Sequence, residues 1–336
     1  MNKAHHPNKG PFLRTLKPGD QFVGFYVIRS KQLEPFRDAS RGNFLSLVLS
    51  DGSGQLLARV WEGAEEALED IGQAKVGKLR AEVETYLDRT QIRVLQIRPA
   101  TDDEFDPQDM LPSSERTKDE MLAELDRYIE KIQQPELRQL LDTLFGDNDF
   151  RADFAIAPAA RRVHHAYLGG LIEHTLELAK IAETVLEVFP KLNKDLLLTG
   201  VLLHDIGKVH EFMWEYDIDY STEGRLFGHI VMADEMLRNA IDSIKDFPQE
   251  LTLQLRHMLL AHHGRYEWGS PRRPKTIEAI ALHQIENLGA QINRFGTLLD
   301  DRPDGEAWTS YDRMLNRQLY GGIDDDLNVE ELGLIE

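Results

Sequence analysis

Seven residues in the second half of the chain have the types and order needed to hold divalent cations. They are His174, the pair His204-Asp205, His229, the pair His262-His263, and Glu286. Ten of the twelve histidines fall between His164 and His283. The pair His204-Asp205 follows the apolar run 196–203 and precedes Ile206-Gly207-Lys208. An adjacent imidazole and carboxylate at a buried helix end can bind one cation, or the carboxylate can bridge two. Taken singly, a histidine on an apolar helix face is usually a hydrogen-bonded core residue, and His210, His257 and His283 are read that way. A His-His pair can be a solvated helix cap, and His5 and His6 in the polar N-terminal segment carry no role. The ordered set is different, because each member lies on a different expected helix. Bundles build metal sites from side chains on facing helices.

The elements that must position this set are helical. Leu122, Leu125, Ile129 and Ile132 recur at helical spacing, and Pro135 opens a helix containing Leu137, Leu140, Leu141 and Leu144. Further helices are expected over 168–189, 194–212, 226–244, 251–261 and 276–295. The first hundred residues read instead as β structure. Strands are expected at 21–29, 43–50, 55–61, 78–87 and 91–97, with a turn at Asp51-Gly52-Ser53-Gly54 and a short helix over 63–71. Five strands with a helix between the third and fourth is the order of an OB-fold. The fold class is therefore multidomain: a small all-β OB-fold barrel followed by an all-α bundle. Domains are expected at 1–100 and 116–320. They are joined by a solvated acidic linker at 101–115, and an acidic tail covers 321–336.

Composition narrows the function. The chain has no cysteine, which excludes disulfides, zinc ribbons, iron–sulfur clusters and thiol nucleophiles. The net charge of −19 argues against a nucleic-acid partner until its distribution is read. Residues 1–100 hold 15 basic against 12 acidic side chains, whereas the rest holds 24 against 46. A mildly basic barrel on an acidic body suits two tasks. Arg37, Arg41, Phe44, Arg59, Trp61, Tyr86, Arg89 and Arg93 mix cations and aromatics in its strands and loops. Single strands are gripped in that manner, by stacking on aromatics and by phosphate contacts. Phe22, Phe25 and Tyr26 are expected in part to fill the barrel core instead. No apolar run reaches the length of a membrane span, and no secretory signal is visible, so a cytoplasmic protein without a membrane partner is expected.

These residues resemble the HD superfamily of metal-dependent phosphohydrolases, and more closely the YhaM-type 3′-to-5′ exoribonucleases, over roughly residues 12–320. The resemblance rests on Leu49-Ser50-Asp51-Gly52-Ser53-Gly54, Trp61 and Gln96-Ile97-Arg98-Pro99-Ala100 in the barrel. In the helical part it rests on His164-His165-Ala166-Tyr167-Leu168-Gly169-Gly170-Leu171, Leu203-His204-Asp205-Ile206-Gly207-Lys208, Gly228-His229-Ile230, His262-His263-Gly264 and the stretch 269–276. It implies that His174, His204, Asp205 and Glu286 hold one metal, and that Asp205, His229, His262 and His263 hold a second, with Asp205 bridging. Mn²⁺ is the implied ion; Fe²⁺ suits such ligands as well, and Mg²⁺ stays open as an alternative. The chain departs from the family where Ala-Asp-Asn-Leu-Asp-Ala is usual. It reads Ile285-Glu286-Asn287-Leu288-Gly289-Ala290, so that a longer Glu286 replaces the first Asp and Gly289 the second.

The expected activity is hydrolysis of single-stranded RNA from its 3′ end by two-metal in-line displacement. Single-stranded DNA and a second copy of the chain are further expected partners. Asp205 and Lys208 would be catalytic, with Lys208 on the scissile phosphate unless it is only a solvated helix-end lysine. His165, Arg272, Arg273 and Lys275 are further candidates for phosphate contacts. Two alternatives are a phosphodiesterase or nucleotidase for a small nucleotide, and a nucleic-acid-binding protein whose HD site has decayed.

Overall fold

Alternation of buried and outward side chains builds the first domain. In the computed structural model, which describes residues 9–86, 89–161, 165–303 and 305–322, five strands close into a barrel. They are β1 (Gln21–Pro35), β2 (Asn43–Asp51), β3 (Gly54–Val60), β4 (Val76–Tyr86) and β5 (Arg89–Pro99), with α1 (Ala64–Ile71) between β3 and β4. The order around the barrel is β1-β2-β3-β5-β4, and β3 and β5 pair in parallel, giving the expected OB topology. Ala58 and Val60 point into the core, and Leu57 points out. Phe22, Phe25 and Tyr26 are all buried, so none of them offers a ligand face.

A buried ion pair ties the start of the chain to this barrel. Lys9 Nζ lies 2.5 Å from Asp51 Oδ2, and both side chains are inaccessible to solvent. Asp51 also accepts hydrogen bonds from Leu13 N and from Ser53 N and Oγ. Burial pulls the Lys9 amine below its usual range, and Asp51 works against that.

The expected solvated linker is a correction. Phe105, Met110 and Leu111 are buried, and Pro107–Met110 forms a 3-10 turn capped by Asp106. Phe105 lies between Phe25 and Tyr216, at 5.7 and 6.1 Å between ring centroids. Tyr216 donates to Asp102 at 2.5 Å, and Arg29 pairs with Asp217 at 2.7 Å, so barrel, connecting segment and bundle share one seam. Three apolar side chains among many acids are enough to dock the segment.

The second domain is helical: α2 (Lys118–Glu130), α3 (Pro135–Phe145), α4 (Asn148–Ile156), α5 (Gly170–Val188), α6 (Lys194–Leu203), α7 (Lys208–Glu211), α8 (Thr222–Asp242), α9 (Gln249–Ala261) and α10 (Ile277–Asp300). Side chains of Thr117, Asp147, Asn193, Ser221 and Thr276 cap five of these. The core runs through Leu171, Leu197, Leu202, Leu255, Leu259 and Leu282, all of them fully buried. The helix expected over 194–212 breaks after Leu203. His204 keeps helical φ and ψ of −56° and −35°, and the chain turns through 204–207 into α7. A two-stranded ribbon follows, β6 (Phe212–Met213) and β7 (Asp219–Tyr220). Among the described residues no helix is long and apolar enough to cross a membrane. His5, His6, His164, Leu87 and residues 323–336 of the expected tail lie outside the described residues.

Candidate metal centre

Five segments of the bundle converge on Asp205. His174 comes from α5, His204 and Asp205 from the turn after α6, His229 from α8, His262 and His263 from the end of α9, and Glu286 from α10. One ligand atom from each of His174, His204, Asp205 and Glu286 lies within 4.8 Å of the others, and so do those of His229, His262 and His263. Asp205 joins the two groups. Its Oδ2 is 3.2 Å from His204 Nε2 and 3.7 Å from His174 Nε2. Its Oδ1 is 3.5 Å from His229 Nε2 and 3.6 Å from His262 Nε2. Glu286 Oε2 closes the first group at 2.9 Å from His174 Nε2 and 3.5 Å from His204 Nε2.

The histidines are aimed. The Nδ1 atoms of His204, His262 and His263 donate to the carbonyls of Val201, Leu259 and Trp268 at 2.7, 2.6 and 2.9 Å. His229 Nδ1 donates to Glu211 Oε1 at 3.0 Å. Engaging Nδ1 in this way leaves Nε2 as the ligand atom. His204 Nε2, His229 Nε2, His262 Nε2, both oxygens of Asp205 and Glu286 Oε2 are buried without a hydrogen bond of ordinary geometry among the described residues. Buried polar atoms left so are costly, and one cation in each of the two groups would satisfy them. This donor set of imidazoles and carboxylates fits divalent metal ions.

The carboxylates are held in the ionised form that a ligand needs, whereas His204 carries a proton that a cation would displace. Burial pushes His204 down, but Asp205 and then Glu286 outweigh it and raise the imidazole to about 10. Burial would raise the Asp205 carboxyl, yet His204 and Lys208 hold it well below its usual range. His174 and His204 do the same for Glu286. Burial, reinforced by His263, keeps His262 well below its usual range; burial and His229 lower His263. Lys208 Nζ lies 2.6 Å from Asp205 Oδ2 and supplies compensating charge.

Glu211, which sequence patterns do not reveal, and Gly228 of the Gly228-His229-Ile230 motif hold His229. Gly228 breaks α8 with φ 73° and ψ 156°, which turns the His229 N–H out of the helix. Glu211 takes that N–H at 3.0 Å with the same oxygen that takes Nδ1. Backbones touch here: a Cβ on Gly207 would lie 2.1 Å from the His229 carbonyl oxygen, and one on Gly224 would lie 2.2 Å from that of Glu211.

His165, expected at a phosphate, is buried instead. Its Nδ1 meets Tyr167 Oη at 2.7 Å and its Nε2 meets Glu177 at 3.0 Å, so it braces the wall behind His174. Arg272, Arg273 and Lys275 are exposed on the loop between His263 and α10. On the barrel, the Arg59 guanidinium lies 5.1, 5.2 and 5.6 Å from the ring centroids of Phe44, Trp61 and Tyr86. Phe36, which sequence reading missed, stacks on Trp61 at 5.8 Å and carries Arg41 at 4.3 Å. Arg93 is in register with Arg59, and Arg89 with Tyr86. Arg37 is exposed between β1 and β2.

Comparison with known proteins matches residues 171–290 to the HD domain family. A 3′-5′ exoribonuclease YhaM of Listeria monocytogenes serotype 4b is 35% identical over 287 residues, covering 85% of this chain and 91% of that protein. The protein of the same name from Bacillus subtilis strain 168 is 34% identical over 285 residues, covering 84% and 90%. The chain belongs to the YhaM family. A match of 287 residues is longer than the helical domain, so the similarity takes in part of the barrel as well. In this YhaM-family member Glu286 reaches the first group of ligand atoms despite its extra methylene. Gly289 packs against Leu178, whose Cδ2 would lie 2.6 Å from a Cβ there.

Proposed function

We propose that this protein is a metal-dependent 3′-to-5′ exonuclease of single-stranded RNA. The observation that carries this reading is the Asp205 carboxylate, which presents one oxygen to each of two clusters of ligand atoms. His174, His204, Asp205 and Glu286 would hold one divalent ion, and Asp205, His229, His262 and His263 a second. Mn²⁺ suits this imidazole–carboxylate set. When bound, such ions activate water and neutralise charge on the phosphate. The residues of the chain do the rest. Glu211 and the carbonyls behind His204, His262 and His263 fix the direction of four of the rings. Lys208 keeps Asp205 ionised and brings positive charge to where the scissile phosphate arrives. His229 and His263 are the less buried members, so the phosphate approaches from their side.

The barrel grips the strand behind the reacting end, with bases on Phe36, Trp61 and Tyr86 and phosphates on Arg41, Arg59, Arg89 and Arg93. Stacking and phosphate contacts are indifferent to the sugar, so single-stranded DNA is bound by the same face. RNA as the substrate puts the place of action in the cytoplasm. A decayed site is not favoured by a complete donor set, and a small-nucleotide enzyme has no use for this barrel face.

The test is 5′-labelled single-stranded RNA incubated with the protein and Mn²⁺, Mg²⁺ or chelator. A ladder that shortens stepwise from the 3′ end is expected, absent with chelator and absent for Asp205→Ala. No shortening with any divalent ion, or undiminished cleavage by Asp205→Ala, would overturn the proposal.

A further inference from the structure

The loop that leaves the metal centre carries aromatic and cationic side chains that the site geometry leaves unexplained. After His262-His263-Gly264 the chain makes a 3-10 turn, Tyr266–Trp268, with Tyr266 56% and Trp268 45% exposed. The two rings stand two residues apart on one short turn. Each is flanked by a guanidinium: Arg265 stands 4.7 Å from the Trp268 ring centroid, and Arg273 stands 5.3 Å from that of Tyr266. Residues 264–276 hold four basic side chains and one acidic one, within a body of the chain that is otherwise strongly acidic. A cavity of about 600 Å³ opens beside the turn, lined by Arg265, Glu267, Arg273, Pro274 and His283. It is large enough for a nucleotide.

This turn is joined to the reacting centre. The Trp268 carbonyl accepts the His263 Nδ1 hydrogen bond at 2.9 Å, and the Trp268 ring lies 5.9 Å from that of His283. His283 in turn meets the His262 carbonyl through Nδ1 at 2.9 Å. His263 is on the less buried side of the cluster, from which a phosphate must come. A nucleotide whose phosphate reaches that side has its base within reach of the turn.

We infer that Tyr266 and Trp268, with Arg265 and Arg273, form a second stacking platform that binds the bases at the 3′ end of the strand, next to the bond to be cut. This rests on the exonuclease reading and adds to it a subsite separate from the barrel face. Alternating guanidinium and aromatic surfaces take any base, because every base has a π face. The platform therefore positions the end without selecting its sequence. It also gives Trp268 two duties, the ring toward substrate and the carbonyl toward a metal-binding histidine.

The test compares single-stranded RNA with the same RNA carrying abasic residues at its last two positions. For the wild type, removing the bases should raise KM about tenfold for each stacked base. In Tyr266→Ala/Trp268→Ala the penalty for abasic ends should vanish, and Tyr266→Phe/Trp268→Phe should restore it, which a merely structural role would not do. Binding of a labelled tetranucleotide in chelator, followed by fluorescence anisotropy, needs no turnover and keeps the two readings apart. Weaker tetranucleotide binding by the double alanine variant is expected there. An undiminished abasic penalty in the double alanine variant, or equal tetranucleotide affinity of variant and wild type, overturns the platform. A wild type that never shortens RNA, yet prefers the tetranucleotide with bases over its abasic form, overturns the exonuclease reading alone.

Discussion

Replacing Gly228 by alanine should damage the site without touching a single ligand. Gly228 has φ 73° and ψ 156° inside α8, a region that residues with a Cβ essentially do not occupy. Space is not the obstacle, since the nearest atom to an added Cβ is Glu211 Oε1 at 3.9 Å. The cost is therefore backbone strain alone, about 1–3 kcal/mol. If the backbone relaxes toward the helix, the His229 N–H turns away from Glu211 and a hydrogen bond to a charged acceptor is lost, again worth about 1.5–3 kcal/mol. Either route destabilises the bundle or swings His229 out of line with His262 and Asp205. Gly296 in α10 gives the control. It is exposed, has ordinary helical backbone, and a Cβ there meets nothing within 4 Å. Gly296→Ala should stabilise by about 0.4–1 kcal/mol, because alanine restricts the unfolded chain. The same chemical change thus has opposite signs at two positions, and Tm values of the two variants should differ by roughly 3–16 °C at about 2–4 °C per kcal/mol. Thermal unfolding followed at the helical circular-dichroism band, with metal content measured after reloading, reads both effects. Coincident melting and equal metal retention would refute the role given to the break at Gly228.

Three further outcomes are expected. Glu286→Ala should lower metal loading at least about tenfold, beyond what an outer hydrogen-bond partner contributes, whereas Glu286→Asp should keep a substantial share; full loading of the alanine variant, by mass spectrometry, would remove Glu286 from the ligands. Arg59→Ala/Trp61→Ala should weaken single-stranded RNA binding about tenfold or more and flatten its salt dependence, and unchanged affinity in a salt titration would show that barrel face to be idle. Asp51→Ala should cost about 3–5 kcal/mol in urea unfolding because it strands Lys9 in the barrel, and Lys9→Met/Asp51→Leu should recover most of that; a single variant as stable as wild type would contradict the burial of the pair.

The candidate metal ligands were legible because their residue types are rare and chemically committed. His204-Asp205 announces itself after an apolar run, and nothing but tertiary folding was needed to bring His174 and Glu286 to it. Barrel topology was equally open, since β-branched and aromatic alternation with an Asp51-Gly52 turn leaves few other arrangements. Glu211 was hidden: in sequence it is one acid among many, and it acquires its task only where Gly228 frees the His229 N–H. The segment 101–115 misled because its acids dominate the average, while Phe105, Met110 and Leu111 do the packing. Phe36 lies just past β1 and breaks the strand alternation, so its place over Trp61 follows only from the bend that returns the chain to β2. His165 shows the reverse error, a conspicuous histidine whose two nitrogens are already occupied.

The close approaches at Gly207 and Gly224 bear on how the site can move. Side chains between helices allow small adjustments by rotamer hops within nanoseconds, whereas backbones in contact have no such slack. With Gly207 against the carbonyl of His229 and Gly224 against that of Glu211, the HD turn, α7 and the start of α8 behave as one mechanical piece. The turn that carries Asp205 is thus held against His229 through main chain alone. α5 with His174 and α10 with Glu286 meet that piece through side chains, so adjustment at the centre is expected from them first.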